Sequence, residues 1–122
     1  EYVPQGTLAE RIRAYGAGLG GVLTPTGLGT MIQDGKQIVN VDGKDYILEK
    51  PLKADIAFLR ANIVDEEGNM VFLGTSQNFN PLMAMAADYV VVEAEKLVKR
   101  GEIAPEQIHA SGIFVDGIYL EK

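Results

Sequence analysis

Two long apolar runs constrain the fold of this chain more than any other feature of its sequence. They are ADIAFLRAN, from Ala54 to Asn62, and DYVVVEAEKLV, from Asp88 to Val98. A near-continuous apolar run is typical of a strand that is covered on both faces, and such strands occur in parallel or mixed sheets. The sequence therefore predicts an α/β fold of three layers, with helices flanking a mixed or parallel sheet.

Local signals place a helix and a hairpin before the first of these runs. Thr7-Leu8-Ala9-Glu10 matches a capping box, which predicts a helix that follows it and ends at Gly16 in a left-handed conformation. Asp42-Gly43 lies between QIVNV and KDYILE, and this pattern predicts a projecting β-hairpin with a type I′ turn.

Weaker signals cover the rest of the chain. MVFLG predicts a short strand, and an Asn cap followed by Pro predicts a helix over Pro81–Ala87. APEQIH predicts a helical turn, and GIFVDGIYL predicts two β-rich runs on either side of Asp116-Gly117.

Composition excludes several functional classes. The net charge of −6 opposes a nucleic-acid surface, and no basic amphipathic stretch suits an anionic membrane. There is no cysteine, so disulfides and thiol chemistry are excluded. No apolar run approaches the roughly 18 residues that span a bilayer. We expect a cytoplasmic protein that binds neither nucleic acid nor membrane, and its 122 residues correspond to one domain or part of one.

The segment GAGLGG, from Gly16 to Gly21, matches the G-x-G-x-x-G pattern of dinucleotide-binding loops. That loop must follow a strand and open a helix, so that the pyrophosphate meets the helix N-terminus. Here a predicted helix precedes the glycines and a strand-like segment follows them. A nucleotide-binding oxidoreductase is therefore disfavoured, and the glycines are better explained by a tight helix-to-strand passage.

Other chemically suggestive residues have simpler explanations. His109 is the only histidine, and without further ligands a capping or surface role is favoured over a metal site. Asp65-Glu66-Glu67 precedes Gly68-Asn69 and is better interpreted as a solvated turn than as a cation site. Glu93 is placed at the end of a buried strand, where α/β enzymes position ligands, although a carboxylate at the sheet rim is the simpler interpretation. We predict no metal site.

The segment Val3–Thr7 is more informative. Pro4 restricts the backbone and Gly6 removes a side chain, so that another molecule could approach the backbone closely. Gln5 projects between them, just before a helix N-terminus whose free amides and dipole favour an anion. A neutral amide can donate to a carboxylate or oxyanion there. An ordinary strand-to-helix loop remains the alternative, and these residues alone name no reaction.

Four segments together resemble the alpha subunit of the family I coenzyme A transferases. They are VPQGTLAERIRAYGAGLGGVLTPTGLGT, DGKDYILEKPLKADIAFLRA, GNMVFLGTSQNFNPLMAMAA and GIFVDGIYLEK. The resemblance covers essentially the whole chain, and it favours the acetate or butyrate–acetoacetate branch over the succinyl type. It implies transfer of CoA from a short-chain acyl-CoA or 3-oxoacyl-CoA to a free carboxylate, with coenzyme A as a substrate and no other cofactor.

In this family the nucleophile is a glutamate of the second type of polypeptide, the beta subunit. The resemblance therefore implies a hetero-oligomer and no catalytic nucleophile in this chain. It implies that Gln5 lies beside the reacting carboxylates and that Gly27 and Asn78 approach the substrate.

The resemblance also bears on completeness. The family's GGFG-like turn precedes the matched region, so we expect residues 1–122 to form the C-terminal part of a single alpha-subunit domain, incomplete at its N-terminus and inactive alone. Self-association is a further expectation. The alternative function is a non-catalytic assembly or binding module that keeps the fold.

Overall fold

The computed structural model describes residues 1–122, and its backbone divides into two units, Glu1–Lys53 and Ala54–Lys122. The first unit contains helix α1 (Gln5–Gly16) and strands β1 (Val22–Thr24), β2 (Ile38–Val41) and β3 (Lys44–Glu49), with a 3₁₀ turn at Met31–Gln33. The three strands form an antiparallel sheet in the order β1-β3-β2.

Helix α1 exists and ends at Gly16 as predicted, but the predicted capping-box start and the left-handed conformation at Gly16 are wrong. It begins at Gln5 with Pro4 at the N-cap and no side-chain cap, and Thr7 is buried within its first turn. Gly16 is its last residue, and the left-handed position falls on Gly18 at φ +71°. The amides of Gly18 and Leu19 donate back to Tyr15 and Ala14, a Schellman closure.

The hairpin prediction is confirmed. Asp42 and Gly43 have φ values of +50° and +81°, as a type I′ turn requires, and Val41 pairs with Lys44 across the turn.

The second unit contains a four-stranded mixed sheet in the order β5-β4-β6-β7. Its strands are β4 (Ala54–Asp65), β5 (Met70–Val71), β6 (Ala87–Val98) and β7 (Gly117–Leu120), with helix α2 at Asn80–Met83 and 3₁₀ turns at Gly74–Gln77, Pro105–Gln107 and Gly112–Phe114. Strands β4, β6 and β7 are parallel, and β5 is antiparallel to β4.

The α/β class and the two long strands are confirmed, but coverage of both strand faces is not found within this unit. Ala57, Leu59 and Ala61 of β4 are buried in the core with residues of β6, whereas Ile56 and Phe58 on the other face are exposed. The apolar run conceals this alternation because both faces carry apolar side chains.

Two smaller predictions are corrected. Helix α2 covers Asn80–Met83, with Phe79 at the N-cap and no side-chain cap, instead of Pro81–Ala87. It is short because Ala86 already joins the sheet, its carbonyl accepting the amide of Ala54 at 2.9 Å. Of the two final β-rich runs, the second is β7, but the first is a 3₁₀ turn capped by Ser111. None of the helices has the length and apolar character needed to cross a membrane.

Candidate functional site at the start of the first helix

The N-terminus of α1 presents backbone donors that no side chain caps. Pro4 fixes the entry to the helix at φ −57° and ψ 143°, and the first intrahelical bond runs from the Leu8 amide to the Pro4 carbonyl. The amides of Gln5, Gly6 and Thr7 precede that bond, and such amides have no intrahelical partner. The absent capping box therefore leaves the helix terminus more available to an anion than the sequence suggested.

Gln5 occupies the first helical position and is exposed. Its side-chain amide has no hydrogen-bond partner within the chain. An uncommitted primary amide carries two donors and one acceptor group, which can engage a carboxylate without adding a competing charge. The structure thus places Gln5 where it can meet another molecule.

A cleft of about 450 Å³ lies beside this terminus. It is lined by residues of α1 and its entry, together with residues of β1 and the following loop: Pro4, Gly6, Thr7, Glu10, Val22, Leu23, Thr24 and Thr26. Gln5 itself does not line the cleft but lies between two residues that do. A Cβ built on Gly6 would have no atom within 4 Å, so the backbone there is open to an incoming group.

Glu10 contributes a carboxylate to the cleft, and that carboxylate is already engaged. Arg13 donates to Glu10 Oε2 from Nε at 2.9 Å and from Nη2 at 2.8 Å. The hydrogen bond from Arg13 lowers the pKa of Glu10 below its ordinary value of 4.5. Glu10 is therefore already engaged by Arg13, and its lowered pKa makes it a weaker general base.

Gly27 has a packing role that the structure makes explicit. It adopts φ +95°, and an added Cβ would approach Ile32 Cγ2 to 2.6 Å. Its carbonyl accepts a hydrogen bond from the Thr30 hydroxyl at 2.6 Å. Glycine is therefore required by the loop itself, and a substrate contact at Gly27 stays a prediction.

Asn78 belongs to the second unit, where it follows the 3₁₀ turn Gly74–Gln77 and is exposed. Its backbone amide donates to the Thr75 carbonyl at 3.2 Å, and its side chain forms no hydrogen bond within the chain. The neighbouring Asn80 is the engaged asparagine, since it accepts from the Arg60 amide at 3.1 Å and donates to the Ser76 carbonyl at 2.6 Å. Gln5 and Gly27 therefore lie in one unit and Asn78 in the other.

The remaining polar candidates are explained structurally. His109 Nδ1 accepts the Phe72 amide at 2.9 Å, and its ring stacks on Phe72. Asp65 is buried and accepts the amides of Glu67 and Asn69, so it organises its turn and is not itself solvated. No group of three or more histidines or acidic residues is arranged to hold a metal ion. Glu93 lies in the middle of β6, not at its end.

The threonine hydroxyls along the cleft were missed at the sequence level. Thr24 Oγ1 accepts the Thr26 amide at 3.1 Å, which orders the TPT segment beside the cleft. Thr24 and Thr26 lie close together in the segment LTPTG. Because each threonine hydroxyl can donate and accept a hydrogen bond, this clustering could have identified them from the sequence. A buried ion pair was also missed: Lys36 Nζ lies 2.8 Å from Glu49 Oε1, and Glu49 is the residue paired with the cleft residue Val22 in the sheet.

The coenzyme A transferase family model matches residues 1–121, so the chain belongs to that family and the resemblance in the sequence is confirmed. The chain is 53% identical over 121 residues to the alpha subunit of an acetoacetyl-CoA:acetate/butyrate CoA transferase from Clostridium acetobutylicum, covering 99% of this chain and 56% of that protein.

Two further comparisons agree. The alpha subunit of an acetate CoA-transferase from Escherichia coli is 50% identical over 98% of this chain and 54% of its own length. An acyl-CoA transferase structure from Escherichia coli O157:H7 superposes with a TM-score of 0.87 at 25% identity, covering 98% of this chain and 27% of that one. The chain thus spans about half the length of the curated relatives it matches.

Proposed function

We propose that this chain is part of a CoA-transferase that moves CoA between a short-chain acyl-CoA or 3-oxoacyl-CoA and a free carboxylate such as acetate, butyrate or acetoacetate. The observation that carries the proposal is the match of nearly the whole chain, at 53% identity, to an alpha subunit of that activity. The uncapped α1 terminus and the uncommitted Gln5 amide support it, because the reaction handles carboxylates and oxyanions.

The reaction proceeds through a glutamate of a second polypeptide, the beta subunit. Its carboxylate attacks the acyl carbon of the thioester, the C–S bond breaks, and CoA leaves as a thiolate from a mixed anhydride. The thiolate then attacks the glutamyl carbonyl, which releases the first acid and leaves a glutamyl-CoA thioester. The acceptor carboxylate repeats these steps in the opposite order, so that no net proton or electron is consumed.

This chain contributes positioning and charge stabilisation in that scheme. The Gln5 amide donates to the substrate carboxylate or to the oxygen that becomes negative during attack. The free amides at the start of α1 reinforce the same field. Gly27 is a further candidate substrate contact in the first unit and Asn78 is one in the second, and coenzyme A enters as a substrate.

The carboxylates of this chain fit the absence of a nucleophile. Glu10 is held by Arg13, and Glu49 is buried against Lys36. Glu95 is paired with Arg60 at 3.2 Å. Of these four glutamates Glu93 alone lacks an ion pair, and because the proposed nucleophile belongs to the beta subunit we assign Glu93 no catalytic role.

Steady-state kinetics of the native protein together with its beta subunit tests the proposal, with acetoacetyl-CoA and acetate as substrates. Replacing one donor of an oxyanion site lowers kcat by about 100-fold or more, so Gln5→Ala should fall in that range while retaining the assembly. Gln107→Ala removes another exposed side-chain amide, in the second unit, and should leave kcat unchanged.

Two results would count against the proposal. Full activity of Gln5→Ala would remove the role assigned to Gln5. If the wild-type assembly formed stably and yet transferred no CoA, the non-catalytic assembly module would be favoured instead.

A further inference from the structure

The hydroxyl group of Thr7 has no partner, although the residue itself is buried. Thr7 is 7% exposed and lies in the first turn of α1, two residues after Gln5. Its side-chain oxygen takes part in no hydrogen bond within the chain. No fully buried side-chain oxygen or nitrogen of the chain lacks a partner, so the Thr7 hydroxyl must reach open space.

That open space is the cleft beside the start of α1, because Thr7 is one of the residues that line it. Strand β1 and the loop after it add Thr24 and Thr26 to the lining. Thr24 Oγ1 already accepts the Thr26 backbone amide at 3.1 Å, whereas the Thr26 hydroxyl forms no hydrogen bond. A buried polar group without a partner is unfavourable, so the Thr7 hydroxyl indicates that an acceptor atom of another molecule enters the cleft.

The charges of the cleft lining restrict which molecule that is. Glu10 is the one charged residue in the lining, and Arg13 Nη2 holds its carboxylate at 2.8 Å. No lysine, arginine or histidine lines the cleft, so a second carboxylate on a substrate chain would meet a negative group and no cation. Val22 and Leu23 supply apolar surface. The lining therefore suits a short, uncharged carbon chain that carries a hydrogen-bond acceptor.

We propose that this cleft holds the acyl chain of a 3-oxoacyl substrate and that the Thr7 hydroxyl donates a hydrogen bond to its 3-oxo oxygen. The inference rests on the proposed CoA-transferase function and adds a residue that distinguishes a 3-oxoacyl chain from a plain acyl chain. A keto oxygen is an uncharged acceptor, which matches the neutral hydroxyl donor. A chain without this oxygen would leave the hydroxyl unpartnered and would bind less favourably.

The position of Thr7 on α1 agrees with the spacing of the two oxygens. The free backbone amides at the start of the helix, including those of Gly6 and Thr7, are the donors proposed for the reacting carboxyl group. In a 3-oxoacyl chain the keto oxygen is two carbons away from that group. The amides and the Thr7 hydroxyl belong to one helical turn, which rises by about 5.4 Å, so one short chain can contact both.

Specificity kinetics of the native protein together with its beta subunit tests the proposal. The quantity compared is the ratio of kcat/KM for acetoacetyl-CoA to kcat/KM for butyryl-CoA, each with acetate as the acceptor. Thr7→Val keeps the shape of the side chain but removes the hydroxyl, so this ratio should fall by about 5- to 50-fold. Thr7→Ser keeps the hydroxyl and should keep a ratio near that of wild type. Thr75→Val, at an exposed threonine of the second unit, is the matched control and should leave the ratio unchanged.

Two results with an active assembly would overturn the inference. One is a wild-type ratio in Thr7→Val, and the other is an equal loss with both acyl-CoA substrates, which would show a purely structural role for Thr7. Thr7→Ala is the second variant in case Thr7→Val does not fold, and the same fall in the ratio is expected for it. A wild-type assembly that transfers CoA from neither substrate would instead refute the proposed function, and this inference with it.

Discussion

The buried ion pair between Lys36 and Glu49 gives a sharp prediction for stability. The Glu49 side chain is 2% exposed, that of Lys36 is 15% exposed, and their charged atoms are 2.8 Å apart. At this distance and an effective dielectric constant of ~20, the attraction amounts to about 6 kcal/mol, which the loss of solvation largely offsets. Removing one partner loses the attraction and leaves the other charge buried without a partner. Lys36→Met should therefore lower the free energy of unfolding by about 3–5 kcal/mol.

Urea unfolding of the native protein and its variants measures this change as a shift of the midpoint urea concentration, with the slope of the free energy against urea concentration held constant. Lys44→Met, at the exposed hairpin, is the matched control and should stay within about 0.5 kcal/mol of wild type. The double variant Lys36→Met/Glu49→Leu should be more stable than Lys36→Met alone, because no charge is then left buried. If Lys36→Met were as stable as Lys44→Met, the reasoning from burial would be refuted.

Two further predictions concern the first unit. Gly27→Ala should destabilise the protein by about 1–3 kcal/mol more than Gly29→Ala in thermal melts. Both glycines have positive φ, but only Gly27 has its Cβ position blocked, by Ile32. Equal destabilisation by the two substitutions would contradict this. The ion pair between Glu10 and Arg13 stabilises the fold above pH 4.5, and this small stabilisation should be lost as the pH falls through the lowered pKa of Glu10. In an NMR titration, the midpoint of Glu10 should therefore be higher in Arg13→Gln than in wild type. An unchanged midpoint would show that Arg13 is not the cause.

Among the signals confined to adjacent residues, the turn pair Asp42-Gly43 predicted the structure correctly. Asp42-Gly43 carries both positive φ values of its turn, so the hairpin could be located from two letters. The helix start was harder, because Pro4 and Thr7 both resemble N-terminal residues. In the structure Thr7 is buried inside the first turn, at 7% exposure, and Glu10 binds Arg13 instead of reaching back to the helix N-terminus.

Features that join distant residues could not be predicted. His109 and Phe72 are 37 positions apart, and Lys36 and Glu49 are 13 apart, so no local pattern links them. The exposure of one face of β4 was hidden for a different reason. Ile56 and Phe58 are as apolar as the buried Ala57 and Leu59, and a run without alternation gives no sign of which face the rest of the chain covers. The Gln5 segment could be singled out from the sequence because its proline, amide and glycine are contiguous, and its role in binding stays a prediction.

The claim on which the functional account depends is that this chain positions substrates while another polypeptide supplies the nucleophile. The native assembly can be incubated with acetoacetyl-CoA alone, so that the covalent intermediate accumulates, and each polypeptide can then be analysed by mass spectrometry. A CoA adduct is expected on a glutamate of the partner polypeptide and none on this chain. An adduct on Glu10, Glu49, Glu93 or Glu95 would contradict it.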